Sequence, residues 1–568
     1  MPKTTFWLPV LSLIIVAVLA LLAVDGSAQA VDPTYLPLIN GGGGSTANPT
    51  ITATPTRTPT PTTVATATNT PEVTPTVTST VTATPVGTPI TADLFVDDDN
   101  TTGAENGSTK NPYNTVQEAI AAAGDGETIA VAVGTYAENI RVQDKTLHLF
   151  GGFVGASAAT YAAGDGGNFK DRGSPLDATA NSTHLQGDRT DSVVTLINAG
   201  TSTLDGFRIT DGTHSVVPEF GELGGGFYVN GGSPTISNNL IENNDTRPTP
   251  TGPSESVGGG IFAESSDISI LNNIIRKNIS GRGAGIAISR GTVVIRGNTV
   301  QDNYGASDHG GGLYIFSPQA EISRNLIIGN EIGREMGYGW GGGIVVFGDP
   351  NFPGESTATL SFNTVSENYA PSVGSGVFVD DGARATLDHE LIYNNVCPDA
   401  GTTGGVGIYV DGYNEIGSHA TVIHSTVAGH HCTTQGGNGL YVEVHSGVTI
   451  QNSIFWDNNG DDFYIDPTSQ ITATYTTAEE ALPGLGNLAT DPLFANLAQH
   501  DYHLQSTAGR WDPQANAGSG EWVLDAKDSP AIDAADPAAD FANEPSPNGG
   551  RANMGVYGNT AEASKSRP

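Results

Sequence analysis

Two neighbouring residues, Asp308 and His309, have side chains that could act together as an acid and a base. A carboxylate can orient an imidazole, and an imidazole titrates near neutral pH, so the pair could move a proton during a reaction. Nearby residues could contact a sugar ring or an anionic group through aromatic or cationic side chains. These candidate binding residues are Arg282, Tyr304, Tyr338, Trp340 and Tyr369. The alternative is that Asp308 and His309 are ordinary loop residues.

A second group of residues has the chemistry of a cation site. Asp533, Asp536, Asp540 and Glu544 lie close together in the sequence, and their carboxylates could hold a hard cation such as Ca²⁺. Their spacing does not match an EF-hand loop. The alternative is a solvated acidic loop, and no other cofactor is indicated.

The elements that would position these residues form a repeat. Clusters of small residues, mostly Gly, followed by a short apolar strand, recur 25 to 34 residues apart. The clusters begin at positions 224, 258, 283, 310, 341, 374, 404 and 436.

A second signature alternates with the first. It is an apolar residue followed by Asn three, an aliphatic five and Asn eight positions later, as in Ile236, Asn239, Ile241 and Asn244. Further copies begin at Ile270, Ile295, Ile322, Leu360 and Leu387, with a degenerate copy at Val422 and the start of another at Ile450. Gly and Asn tolerate the left-handed backbone of tight bends, so we interpret them as scaffold.

Two alternating signatures in about 30 residues indicate that each repeat is one coil of a solenoid. The predicted fold class is therefore all-β, a single-stranded parallel β-helix whose equivalent strands stack about 4.8 Å apart. The loops before the Gly clusters should stack on one edge, where they bring together Arg282, Asp308, His309, Tyr338 and Trp340. The loops after the second Asn add Tyr304 and Tyr369.

The two cysteines provide a test of this register. Cys397 lies two residues after Asn395, and Cys432 lies two residues after His430, at the matching position of the next coil. The strand spacing falls within the range of Cα separations in disulfides, so we predict a Cys397–Cys432 bond. The alternatives are two free buried thiols, or a zinc site that includes His430 and the adjacent His431, which we favour less.

The pattern resembles the right-handed parallel β-helix proteins of the pectate-lyase-like superfamily over residues 93–466. The resemblance implies the right-handed coil and a short capping helix at 115–123, for which Asn114 is the expected N-cap. Residues 467–568 resemble the C-terminal choice-of-anchor block of bacterial surface β-helix proteins. Enzymes of the superfamily act on acidic polysaccharides, but no segment matches a lyase or hydrolase motif residue by residue.

The first 30 residues have a basic start, an apolar stretch and an Ala-Gln-Ala site, which predicts a cleaved secretory signal. An uncleaved membrane anchor is the alternative. Residues 31–92 contain a Thr/Pro-rich stretch, which predicts a disordered linker. No later segment is apolar enough to cross a bilayer, so we expect a secreted or cell-surface protein without a span in its mature chain.

Composition narrows the possible functions. The chain has 23 Lys and Arg against 60 Asp and Glu, a net charge of −37, which argues against nucleic-acid binding. We expect an exported protein that binds a polysaccharide or cell-surface glycan along its solenoid face. The alternative is a polysaccharide lyase or glycoside hydrolase acting on a uronate-containing polymer, with Ca²⁺ as a candidate cofactor. A purely structural envelope protein is the third hypothesis, and enzymatic activity is left open.

Overall fold

The structure is a computed structural model. It describes residues 90–173, 182–217, 221–247, 256–306, 308–396, 404–432, 436–459 and 462–567. Short strands dominate these residues, and most of the strands belong to three long sheets.

The first sheet has 14 strands, of which 13 follow one another in sequence order and pair in parallel. They are Leu94–Val96, Thr128–Ala132, His148–Gly155, Thr203–Asp205, Thr235–Ser237, Ile268–Leu271, Thr292–Arg296, Gln319–Ser323, Thr357–Ser361, Arg384–Asp388, His419–Ile423, Gly447–Gln451 and Gln470–Thr474. The fourteenth, Asn168–Arg172, is antiparallel to His148–Gly155.

The second and third sheets have 11 parallel strands each. The second contains Gly134–Ala137, Thr183–Gln186, Phe207–Thr210, Leu240–Glu242, Ile274–Arg276, Thr299–Gln301, Leu326–Ile328, Thr364–Ser366, Leu391–Tyr393, Thr426–Ala428 and Ile454–Trp456. The third contains Ile140–Gln143, Val194–Ile197, Phe227–Asn230, Ile261–Glu264, Ile286–Ser289, Leu313–Phe316, Ile344–Phe347, Val377–Asp380, Ile408–Val410, Leu440–Val442 and Phe463–Ile465.

Smaller elements lie outside the three long sheets. Ile279–Ser280, Tyr304–Gly305 and Glu331–Ile332 form a small parallel sheet. Three antiparallel pairs join Ser215–Val217 to Gly221–Leu223, Phe494–Asn496 to Asp501–Leu504, and Arg510–Asp512 to Glu521–Val523. The helices are Val116–Ala122, Ala158–Ala162 and the short turn Ala515–Gly518, with a 3₁₀ turn at Leu497–Gln499.

The register of the strands follows the two sequence signatures. The first apolar residue of the Asn signature pairs with its equivalent in the next rung, from Ile236 with Ile270 to Val422 with Ile450. The strands after the Gly clusters pair in the same way, from Phe227 with Ile261 to Ile408 with Leu440. The prediction of an all-β parallel β-helix is therefore confirmed.

Inward side chains of the three sheets form one continuous apolar core. Its N-terminal end is covered by the helix Val116–Ala122, whose Val116, Ala119 and Ile120 are buried. The N-cap of this helix is Thr115 rather than the predicted Asn114, because the Thr115 hydroxyl accepts a hydrogen bond from the Glu118 amide. Asn114 instead donates to Glu105.

The Asn residues of the second signature form two buried ladders. In most rungs the backbone amide and the side-chain Nδ2 donate to the Oδ1 of the next Asn, as Asn298 does to Asn325 at 2.9 and 3.0 Å. The Nδ2 also donates to a carbonyl of the preceding rung, here that of Ile270. The ladders thereby satisfy polar backbone groups at bends that water does not reach.

Candidate functional site

The outer face of the third sheet carries a second apolar cluster, separate from the core. One outward position of successive strands forms a column of mostly large side chains, because parallel strands stack in register. The column contains Tyr228, Phe262, Ala287, Tyr314, Val345, Phe378, Tyr409 and Tyr441. Trp340 and Val373, from the loops before the Gly clusters, pack on it. These loops therefore lie across the sheet.

The structure brings Arg282, Asp308 and His309 together, as the stacking of loops predicts. Arg282 and Asp308 are both buried and form an ion pair between the Arg282 guanidinium and Asp308 Oδ2. Burial alone would raise the pKa of Asp308, but His309 and Arg282 outweigh it and hold the pKa below its usual value. Arg282 is therefore engaged in the scaffold and has no face for a substrate.

The His309 ring lies within a group of aromatic rings. It stacks on Trp340 at 5.1 Å between ring centroids and on Phe378 at 6.1 Å, and the edge contact with Phe347 is 5.4 Å. The side chain is 12% exposed. His309 is thus packed beneath the surface, with little side-chain area left for a substrate, and its acid/base role with Asp308 stays a prediction.

Two carboxylates face the His309 ring. Its Nδ1 lies 3.0 Å from Asp308 Oδ1 in an ion contact without hydrogen-bond alignment, and its Nε2 lies 3.7 Å from Asp380 Oδ2. Burial alone would lower the pKa of His309, but these carboxylates raise it to about 9. The ring is therefore an imidazolium at neutral pH, and it presents a fixed positive charge to Asp380.

The next outward position along the same strands carries acidic residues that the sequence analysis did not single out. Phe347 pairs with Asp380, and the equivalent positions of the next two rungs are Asp411 and Glu443. Successive rungs are about 4.8 Å apart, so these carboxyl groups are neighbours. Asp381, which has a left-handed φ of 52°, begins the turn after Asp380.

Two of these carboxyl groups have strongly shifted pKa values. Burial and the neighbouring Asp380 raise the pKa of Asp381 to about 8. Burial, Asp380 and Glu443 raise the pKa of Asp411 to about 8 as well. Both groups therefore keep a proton at neutral pH, which is the state that a general acid requires.

Two long loops flank the acidic turn. The turn at 381–383 is short, whereas the loops at 348–356 and 411–418 in the neighbouring rungs are longer. Both contact Gly382, since a Cβ there would lie 3.3 Å from Pro353 and 3.2 Å from Ile416. Each loop exposes an aromatic ring, Phe352 at 56% and Tyr413 at 45%. Exposed rings on both sides of an acidic centre suit the apolar faces of sugars.

The predicted aromatic residues divide between exposed and buried positions. Tyr338 is 40% exposed and contacts the half-buried Trp340, so both lie at the edge of the His309 group. Tyr369 is buried and covered by the Arg334 guanidinium at 4.2 Å. Tyr304 is half-buried in the small parallel sheet. Tyr304 and Tyr369 therefore pack within the scaffold, next to Glu331.

The acidic residues of the predicted cation site act separately. Asp536 accepts from Gln451 and the Ala538 amide, Asp540 from the Ala542 amide, and Asp533 from Ser566. Glu544 is buried, accepts from two backbone amides, and has its pKa raised to about 7 by burial. Among the described residues, no group of three or more His, Cys, Asp or Glu is arranged to hold a metal ion. The sequence alone could not show that these carboxylates accept hydrogen bonds from different residues.

Only one cysteine of the predicted disulfide, Cys432, belongs to the described residues, because Cys397 lies outside them. Cys432 is buried, and Asn395 Nδ2 lies 3.3 Å from His430 Nε2, so the residues two positions before each cysteine stack as predicted. His430 continues the Asn ladder, since its Nδ1 lies 2.9 Å from Asn458 Oδ1. Burial lowers the pKa of His430 to about 4. The bond stays a prediction, and His430 is better explained as a ladder residue than as a zinc ligand.

The fold and the sequence together place this chain in a family. The model of the right handed beta helix region matches residues 188–352, 226–427 and 351–486, which together span more than half of the chain. The chain belongs to this family. The search of curated proteins found no match to the sequence.

Several solved structures are similar to this one at low sequence identity. The crystal structure of pectate lyase Pel9A is 11% identical, with a TM-score of 0.38 over 82% of this chain and 96% of that one. The structure of XylC with xylose is 13% identical, with a TM-score of 0.33 over 73% of this chain and 89% of that one. DFA-IIIase from Arthrobacter chlorophenolicus A6 in complex with GF2 is 14% identical, with a TM-score of 0.28 over 68% and 94%.

None of the helices in the described ranges is both long and apolar enough to cross a bilayer.

Proposed function

We propose that this chain binds a polysaccharide where the strands Val377–Asp380 and Ile408–Val410 of the third sheet end, and hydrolyses its glycosidic bonds there. The observation that supports this most is the grouping of Asp380, Asp381 and Asp411 between two loops that expose Phe352 and Tyr413. Glycoside hydrolysis needs a carboxylic acid and a carboxylate on either side of the bond. The site offers carboxyl groups of both kinds.

The roles follow from the charges. Asp411 or Asp381, each protonated at neutral pH, donates a proton to the glycosidic oxygen as the bond to the anomeric carbon breaks. Asp380, which faces the positive His309 ring, acts as the carboxylate. The spacing of about 4.8 Å between rungs suits a retaining mechanism, so Asp380 bonds to the anomeric carbon as the bond to the leaving sugar breaks. Water then hydrolyses this glycosyl ester and gives its proton to the carboxylate that the acid left behind.

His309 and Asp308 support this chemistry without touching the substrate. The aromatic rings fix the imidazolium, and Asp308 together with Asp380 keeps it charged. We assign His309 as a positioning residue for Asp380. Arg282 keeps Asp308 in place from the other side.

The protein's location is part of the proposal. A secretory signal at 1–30 and a Thr/Pro-rich linker at 31–92 would place the solenoid outside the cell, where polysaccharides occur. The residues at 467–568, by resemblance, support attachment to the cell surface.

The test is to incubate the full chain with a panel of polysaccharides and to measure new reducing ends. We expect Asp380→Asn and Asp411→Asn each to lower the cleavage rate at least about 100-fold, because acid/base catalysis contributes about that much or more. Asp302→Asn is the matched control, since Asp302 is exposed after a strand of the second sheet and its left-handed φ of 52° suits Asn. Full activity in both site variants would contradict the assignment.

Binding without cleavage is the second candidate, and the low exposure of Asp380, at 7%, favours it. It predicts that a polysaccharide is retained by the protein while no reducing ends appear. A lyase would instead produce unsaturated ends. The structure gives it less support, because Arg282, the arginine predicted to contact substrate, is buried in its ion pair with Asp308.

A further inference from the structure

We propose that the site takes an uncharged polysaccharide and discriminates against polyuronates. This inference rests on the function proposed above and names the substrate class of the same site.

The acidic residues at the site are more numerous than the catalytic role requires. Asp349 and Glu443 accompany Asp380, Asp381 and Asp411, and the mutual influence of these groups shows that they are close. Asp349 and Asp380 both raise the pKa of Asp381, and Glu443 raises that of Asp411, in each case in addition to burial.

Two of the positive groups beside these residues, His309 and Arg282, are already held by carboxylates. His309 lies beneath the surface between Asp308 and Asp380, and Arg282 is paired with Asp308. Arg384 is exposed and lies against the loop at 348–356, where a Cβ on Gly354 would be 2.6 Å from its Nε. A uronate carboxylate would therefore meet the carboxylates of Asp349 and Glu443 beside the protonated Asp381 and Asp411, on a chain whose net charge is −37.

A cationic sugar is disfavoured for a different reason. An ammonium group beside Asp381 or Asp411 would stabilise the ionised carboxylate and remove the proton that the acid must donate. An uncharged sugar leaves that proton in place. The exposed rings of Phe352 and Tyr413 can stack on its C–H faces without any ionic contact.

The experiment uses pairs of polymers that share a sugar backbone and differ in charge. Fully methyl-esterified homogalacturonan is compared with polygalacturonate, and chitin oligosaccharides are compared with chitosan oligosaccharides. Neutral xylan, arabinan and β-glucan complete the panel, and both retention by the full chain and new chain ends are measured at low and high salt. We expect the neutral polymer of any pair that is recognised to be bound at least tenfold more tightly at low salt, with a smaller difference at high salt.

A variant provides the internal check. Asp349→Asn removes a charge from the flanking loop and keeps the three proposed catalytic side chains. It also removes one of the charges that raise the pKa of Asp381, so the readout is retention rather than cleavage. It should increase polygalacturonate retention at low salt severalfold and leave the retention of neutral polymers unchanged. The control variants Glu321→Gln and Asp302→Asn, at distant positions, should leave the retention of both kinds of polymer unchanged.

The outcomes separate the two proposals. Retention of a neutral polymer without cleavage would contradict hydrolysis and support the substrate class. Cleavage of polygalacturonate or chitosan as fast as their neutral counterparts would support hydrolysis and overturn the substrate class. Failure to retain or cleave any of the polymers would overturn both.

Discussion

Glu390 occupies a ladder position that Asn holds in the five preceding rungs, from Asn239 to Asn363. Its Oε1 accepts from the backbone amide and the side chain of Asn363 at 3.1 and 2.9 Å, as an Asn oxygen would. Its Oε2 is buried without a hydrogen-bond partner. Burial therefore raises the pKa of Glu390 to about 8, and the group is a neutral acid in the folded chain.

The first prediction concerns Glu390 and pH. In the unfolded chain this Glu titrates near 4.5, so between pH 4.5 and 8 the unfolded state loses a proton that the folded state keeps. The stability contributed by this group falls as the pH rises across that window. Glu390→Gln should remove the fall, and the variant should be more stable relative to wild type at pH 8 than at pH 5, by on the order of a few kcal/mol.

The measurement is the urea midpoint of unfolding at both pH values. Glu321→Gln is the control, since Glu321 is an exposed partner of Arg296 and its substitution should leave the pH dependence nearly unchanged. If Glu390→Gln and wild type show parallel pH profiles, Glu390 is not buried as a neutral acid.

The elements of the solenoid depend on close approach of the backbone between rungs. Gly312 lies where a Cβ would be 2.5 Å from the carbonyl oxygen of Gly343 in the next rung, so only Gly fits without a shift of the strands. The same contact recurs between Gly343 and Gly376 and between Gly376 and Gly407. The Gly clusters are thus required by the stacking of the third sheet.

The second prediction is at this scale. Gly312→Ala should destabilise the protein by about 1–3 kcal/mol, because the added methyl group must displace a backbone carbonyl. Thermal unfolding followed by circular dichroism would measure the effect. Gly124→Ala is the matched control: it has an ordinary backbone conformation, and its nearest contact would be the Glu127 side chain at 3.6 Å. Equal melting temperatures for the two variants would show that the rungs can separate at little cost.

At the scale of the whole molecule, the C-terminal residues cover the outer face of the second sheet near the end of the solenoid. Tyr393, Ala428 and Ile454 of that sheet form an apolar cluster with Tyr502 and Met554. Backbone contacts reinforce it, since the Gly555 amide donates to the Asn452 carbonyl at 2.8 Å. This arrangement protects strands whose apolar residues would otherwise face water.

The third prediction concerns a covalent bond between two rungs. A Cys397–Cys432 disulfide would link neighbouring coils just outside the ladder, where Asn395 and His430 are in contact. Peptide mapping by mass spectrometry without reduction should find the two cysteine peptides joined, and reduction should lower the melting temperature of the protein. Two peptides that react fully with a thiol reagent in the native protein would show that the bond is absent.

The sequence by itself determined the fold. The spacing of Gly and Asn indicates which residues stack and at which bends an Asn side chain must hydrogen-bond the backbone. It also brought Arg282, Asp308, His309 and Trp340 to one edge, since stacking follows from register alone. Only the tertiary structure showed that Arg282 and Tyr369 are buried, because burial depends on how loops of different length fold over the sheet.

Asp380, Asp381 and Asp411 were missed for a related reason. The only signal in the sequence was an acidic residue at the end of successive strands, Asp380 and Asp411 at matching positions, in a chain with many such residues. Their pKa values depend on burial and on the distance between carboxyl groups of neighbouring rungs, and neither quantity can be derived from the order of the residues. The coil determines which residues are neighbours, and the packing of its loops determines which of those neighbours can do chemistry.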